Sequence, residues 1–104
     1  LEEYRQSDDE DRWVLATVTA MFGYDEPEIE RRMMDIRHEF EASIRSNSHT
    51  CLEDNAGCVE TFVIEANYGD VLRFIGTVRG VDESIAVEYT VTAVDLMNAE
   101  ISRQ

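Results

Sequence analysis

The sequence predicts an α+β domain: a four-stranded antiparallel sheet with two helices on one face. Three observations carry that expectation. Apolar, β-branched runs open and close the chain's ordered part, two stretches of helical periodicity lie between them, and a polar turn at the centre separates two short extended segments.

The first strand is placed at Trp13 to Phe22, WVLATVTAMF, which is apolar on both faces and therefore expected to be a central strand covered on both sides. Gly23, Tyr24 and Asp25 form a turn, with Asp25 as the N-cap of a helix, Pro27 in its first turn and Glu28 completing a capping box. Ile29, Met33, Ile36, Phe40 and Ile44 recur at helical spacing, so this helix is expected to run to about Arg45 with that stripe buried. His38 lies two positions beyond Ile36 and so points away from the stripe, forming an outer strip with Met34 and Ala42 that suggests contact with another subunit.

Ser46 to Glu53 reads as a short strand, Asp54 to Gly57 (DNAG) as a turn, and Cys58 to Ala66 as the returning strand of a hairpin. Gly69 and Asp70 open a second helix with Val71, Leu72, Ile75 and Val78 on its buried side and Gly80 as its stop. Ser84 to Val94 gives the last strand. The order strand, helix, strand, strand, helix, strand is that of the ferredoxin-like split βαβ arrangement. The sheet face away from the helices is left bare, which predicts association into at least a dimer.

Residues 1–12 are an acidic linker or the end of a preceding helix, residues 13–94 one domain, and residues 95–104 a tail that could hold one helical turn. Without an initiator Met, the chain is expected to be a fragment or to have lost its front. No apolar run is long enough to span a bilayer and no basic-then-apolar leader is present, so a cytoplasmic setting is expected.

Of 104 residues, 23 are acidic and nine basic, every basic one being Arg, for a net charge of −14. Such a charge repels nucleic acid and anionic membranes, so this segment alone is not expected to bind DNA. An acidic surface without Lys also fits a cell of high internal salt, where screening tolerates the self-repulsion.

The chain has four soft or borderline metal donors, His38, His49, Cys51 and Cys58, and no other histidine or cysteine. His49 and Cys51 are separated by one residue on an extended segment, so both project from one face, and the hairpin returns Cys58 toward them. These donor types bind late first-row transition metals, and His38 from a neighbouring subunit could fill a fourth position. A disulfide between the two cysteines is the alternative reading of the pair. Four protein ligands would leave no open position for a hydrolytic water, which argues against an enzyme.

These residues resemble a family, the C-terminal regulatory domains of nickel-responsive transcriptional repressors (NikR), over about Trp13 to Val94. The family motif has a helix His, then eleven residues later H-x-H on the second strand, then Cys, an apolar residue and Glu. Here His38 is followed eleven residues later by His49, HTC (His49 to Cys51) replaces H-x-H, and Cys58, Val59 and Glu60 match the last element. GDV and RGV at the two ends of the later helix are similar as well. Cys51 in place of the second His, a hairpin loop one residue longer, and Arg37 where the family often has Gln are the departures.

The resemblance implies an ACT-type fold, no enzymatic activity, and a tetramer in which His49, Cys51 and Cys58 of one subunit bind Ni²⁺ with His38 of another. It also implies that DNA is bound only through a ribbon-helix-helix domain ahead of this one, with LEEYRQ at Leu1 to Gln6 as the end of its last helix. Two thiolates and two imidazoles suit Ni²⁺, but also Zn²⁺ and Cu⁺. The competing readings are a structural zinc site and an ACT-type module that binds a small molecule at a subunit interface.

Overall fold

The computed structural model describes residues 10–95, so the expectations for residues 1–9 and 96–104 lie outside it. Its elements are β1 (Trp13–Phe22), α1 (Pro27–Glu39), β2 (Ile44–Cys51), β3 (Cys58–Asn67), α2 (Tyr68–Arg79) and β4 (Ala86–Ala93). The strands form one antiparallel sheet in the order β2-β3-β1-β4, which is the α+β ferredoxin-like arrangement.

β1 sits inside the sheet, paired from Trp13↔Asn67 to Phe22↔Cys58 with β3 and from Val14↔Ala93 to Met21↔Ala86 with β4. Its central position was legible, but coverage on both sides was not correct for the single chain. Val14, Ala16, Val18 and Ala20 are fully buried beneath the helices, whereas Trp13 on the alternate face is 49% exposed. The strand alternates at period two, and the helices occupy one face only.

α1 buries Ile29, Met33 and Ile36, and α2 buries Val71, Phe74, Ile75 and Val78. Leu72 is half-buried, and Phe74 is the larger core residue of that helix. The Phe74 ring meets Phe40 and Phe62 edge-on, each at 5.0 Å between centroids, so one aromatic cluster joins both helices to the centre of β3.

α1 ends at Glu39 rather than Arg45. Ile44 follows Phe40 at a helical interval, but a single 3₁₀ turn at Glu41–Ser43 intervenes and Ile44 reaches the core from the sheet, opposite Ile64. A bulge between Ile44 and Ser46 then sets the register of β2, which starts earlier than Ser46. The N-cap of α1 is Glu26 and makes no side-chain capping bond; Asp25 instead adopts a left-handed turn conformation with φ 59°. Glu28 pairs with Arg31 rather than closing a capping box. α2 opens one residue before Gly69, with Asn67 as its cap: the Asn67 Oδ1 accepts from the Asp70 N–H at 2.8 Å. Among the described residues no helix is long and apolar enough to cross a membrane.

Candidate metal centre

The site is made by the end of β2 and the start of β3. The Leu52 N–H donates to the Gly57 carbonyl at 2.8 Å, so the next pair inward, Cys51↔Cys58, is a non-hydrogen-bonded pair, the position at which opposed side chains come closest. Between them the chain makes a 3₁₀ turn at Glu53–Asn55, where Asp54 and Asn55 hold φ values of 59° and 56°. Asp and Asn tolerate that left-handed region better than bulkier residues, so DNAG suits the bend. Gly57 is favoured by a close approach, because a Cβ there would stand 3.1 Å from the Phe22 carbonyl oxygen.

His49, Cys51 and Cys58 place their ligand atoms within 4.8 Å of one another, and His49 and Cys51 share the face onto which Cys58 projects. The two Sγ atoms are 3.4 Å apart and both thiols are free. Metal–sulfur bonds of about 2.3 Å put neighbouring thiolates about 3.3 Å apart at a right angle and about 3.8 Å at the tetrahedral angle, so the pair needs little movement for either geometry. Cys58 is 2% exposed, while Cys51 and His49 are open to solvent. Burial, followed by the neighbouring Cys51 thiol and the carboxylates of Glu30 and Glu60, pushes the Cys58 thiol up to about 11. A metal ion would have to displace that proton, since the thiolate is the ligand.

Behind the three donors lies Glu60, 1% exposed. Its Oε2 accepts from the Arg37 guanidinium and from the Asn47 amide, the latter at 3.0 Å. Its Oε1 is buried without a hydrogen-bond partner and stands 3.6 Å from His49 Nδ1. A small movement of the imidazole would satisfy this orphaned acceptor and orient the ring, so the donor set and its surroundings fit a metal ion. The edge of Phe22, with ring centroids 6.1 Å apart, bounds His49 on another side.

His38 is exposed on the outer face of α1 and is not part of the three-residue group. Met34, one turn earlier, is 51% exposed, but Ala42 lies beyond the helix in the 3₁₀ turn, so the outer strip is shorter than its spacing suggested. Asn47 and Phe22 are contributors that the sequence reading missed. Alternation alone places Asn47, His49 and Cys51 on one face of β2, and that signal could have found Asn47.

Comparison with known proteins places the chain in a family. The model of the NikR C-terminal nickel-binding domain matches residues 15–92. A protein of Haloarcula marismortui described as a nickel-responsive regulator is 38% identical over 86% of this chain and 63% of its own length. One of Halobacterium salinarum with the same description is 32% identical over 91% of this chain and 66% of its own. This chain thus spans slightly less than two thirds of these relatives. Two solved structures share the fold: an uncharacterized protein from Thermotoga maritima has a TM-score of 0.62 at 12% identity, covering 77% of this chain and 95% of that one. A de novo designed protein has a TM-score of 0.56 at 15% identity over 78% of this chain and 97% of its own. With a clustered His and Cys donor set in the matched segment, and that match spanning most of its length, the chain belongs to the family of NikR C-terminal nickel-binding domains.

Proposed function

We propose that this domain is the metal-sensing and oligomerisation part of a nickel-responsive transcriptional repressor. The observation that carries the reading is the convergence of His49, Cys51 and Cys58 within 4.8 Å at one end of the sheet, in a chain of the nickel-binding family. These three residues bind Ni²⁺ from one subunit. The fourth position is filled by His38 of a second subunit, since His38 is exposed on α1 and outside its own chain's cluster. The family is one of regulatory domains and not of enzymes.

The bound metal supplies a crosslink that joins hairpin to neighbouring helix and so favours one arrangement of a tetramer. A ligand shifts an equilibrium by its differential affinity for the two states, and an intersubunit site exists only in the assembled one. The attached part of the longer protein, a ribbon-helix-helix domain, is then biased toward an orientation that fits its operator in the cytoplasm. The net charge of −14 leaves DNA contact to that other domain, and the Lys-free acidic composition favours a high-salt setting.

The test is an anaerobic Ni²⁺ titration of the reduced chain, following thiolate-to-metal charge transfer and oligomer mass together, with His38→Ala as comparison. One metal per chain, a saturating band, and an assembly weakened in His38→Ala are expected. A metal held only by the unfolded-to-folded transition, without reversible exchange, would favour a structural zinc site. Absence of a band and of any change in mass would overturn the sensing reading.

A further inference from the structure

We propose that Arg37 is a positioning residue of the metal centre, acting through Glu60 to fix the orientation of the His49 ring. The proposal rests on the metal-site reading above, but its first readout needs no metal.

Glu60 is a buried carboxylate whose two oxygens are treated differently. Oε2 is held by the Arg37 guanidinium from α1 and by the Asn47 amide from β2, which leaves the carboxylate little freedom to rotate. Oε1 is thereby aimed toward His49 and left without a donor, 3.6 Å from Nδ1. That separation is too long for a hydrogen bond, and a ring movement of a few tenths of an ångström would close it. Once Nδ1–H donates to Oε1, the lone pair available to a metal is that of Nε2. A carboxylate that orients a ligand His in this way raises its basicity and selects its tautomer.

Arg37 is needed because Glu60 lies two residues from Cys58. In a loaded site the charges of two thiolates and a divalent ion cancel, so an unaccompanied Glu60 would leave a buried negative charge beside them. The guanidinium cancels it and, being planar and multiply donating, holds the carboxylate in place as an ammonium would not. Arg37 also immediately precedes His38, so this ion pair ties the helix whose His38 is proposed to reach a second subunit's site to the hairpin that carries this chain's own three donors.

The experiment is nitrogen NMR of the His49 ring in the reduced, metal-free chain, assigned with His38→Ala, for wild type, Arg37→Met, Arg37→Lys and Glu60→Gln, each with its melting temperature and Ni²⁺ affinity. Wild type is expected in the Nδ1–H form, and Arg37→Met is expected to lose that preference and bind Ni²⁺ about 10–100-fold more weakly, with partial recovery in Arg37→Lys. Glu60→Gln gives an independent arm if Arg37→Met does not fold: its amide oxygen will face Arg37, its NH₂ will face His49, and the tautomer preference should invert to Nε2–H. Unchanged tautomer populations in folded Arg37→Met and Glu60→Gln, with only the melting temperature lowered, would overturn the proposal and leave a structural ion pair. Failure of wild type to bind Ni²⁺, with the tautomer pattern as expected, would instead sink the metal reading and leave the ring-orienting role standing.

Discussion

Cys51 and Cys58 face each other across the β2–β3 hairpin with their Sγ atoms 3.4 Å apart, yet only Cys51 is exposed. Their chemistry should therefore differ although they form one pair.

In the metal-free chain Cys51 will be alkylated rapidly at neutral pH and Cys58 slowly, because burial both screens the Cys58 thiol and keeps it protonated up to about 11. Mass spectrometry of time-resolved alkylation reads this directly. Bound Ni²⁺ is expected to protect both residues. Equal rates at the two positions would show that the hairpin is open in solution.

The raised Cys58 pKa also fixes the sign of a pH effect on stability. The folded chain holds that proton more tightly than the unfolded one, whose thiol titrates near 9.0, so the contribution is complete below that value and is lost as pH rises toward about 11. Melting temperatures of wild type and Cys58→Ala, compared across that window, should converge as the wild type loses its advantage. For metal binding the sign reverses: each thiol proton displaced makes apparent affinity rise by up to about tenfold per pH unit below its pKa.

Cys51→Ser keeps the hairpin but removes a proposed soft ligand. At nickel a hundred times its dissociation constant, binding stabilises the folded chain by about 2.7 kcal/mol, and this increment should all but vanish in Cys51→Ser while the metal-free stability stays within about 0.5 kcal/mol of wild type. Calorimetry with and without metal measures both quantities.

Phe74→Ala is expected to cost about 3–5 kcal/mol, because the ring is fully buried and packs edge-on to Phe40 and Phe62, so its removal opens a cavity between both helices and the sheet. Denaturant unfolding will show it. Removing the α2 cap with Asn67→Ala should cost about 1 kcal/mol, since Asn67 makes one capping bond to Asp70.

With a net charge of −14, the chain should gain stability as salt rises and the Debye length shrinks from about 30 Å at 0.01 M to about 3 Å at 1 M. Thermal melts across potassium chloride concentrations test this. A melting temperature indifferent to salt would show that the acidic groups are too widely dispersed to repel one another.

Much of the fold could be read from the residues. The apolar, β-branched run WVLATVTAMF, the Ile29, Met33 and Ile36 stripe and the β-branched last strand reflect burial, although the one-sided burial of the first strand was not visible in a run apolar on both faces. The end of α1 did not, because Ile44 falls four residues after Phe40 and a core residue contributed by the sheet mimics one contributed by the helix. β2 is polar nearly throughout, being an edge strand whose register is set by a bulge and by β3. At the site, donor identity and the H-x-C spacing pointed to His49, Cys51 and Cys58 directly. Alternation along β2 also placed Asn47 on the face of His49, whereas the contacts of Arg37 and Phe22 join elements distant in sequence, which no local pattern records.

The central claim is that His49, Cys51 and Cys58 ligate nickel together. X-ray absorption at the nickel edge of the loaded, reduced chain tests it most directly. Two sulfur neighbours with imidazole scattering are predicted, and with nickel raised until each variant is loaded, one sulfur remains in Cys51→Ser and one imidazole is lost in His38→Ala. A coordination shell of oxygen and nitrogen alone, unchanged by Cys51→Ser, would contradict it.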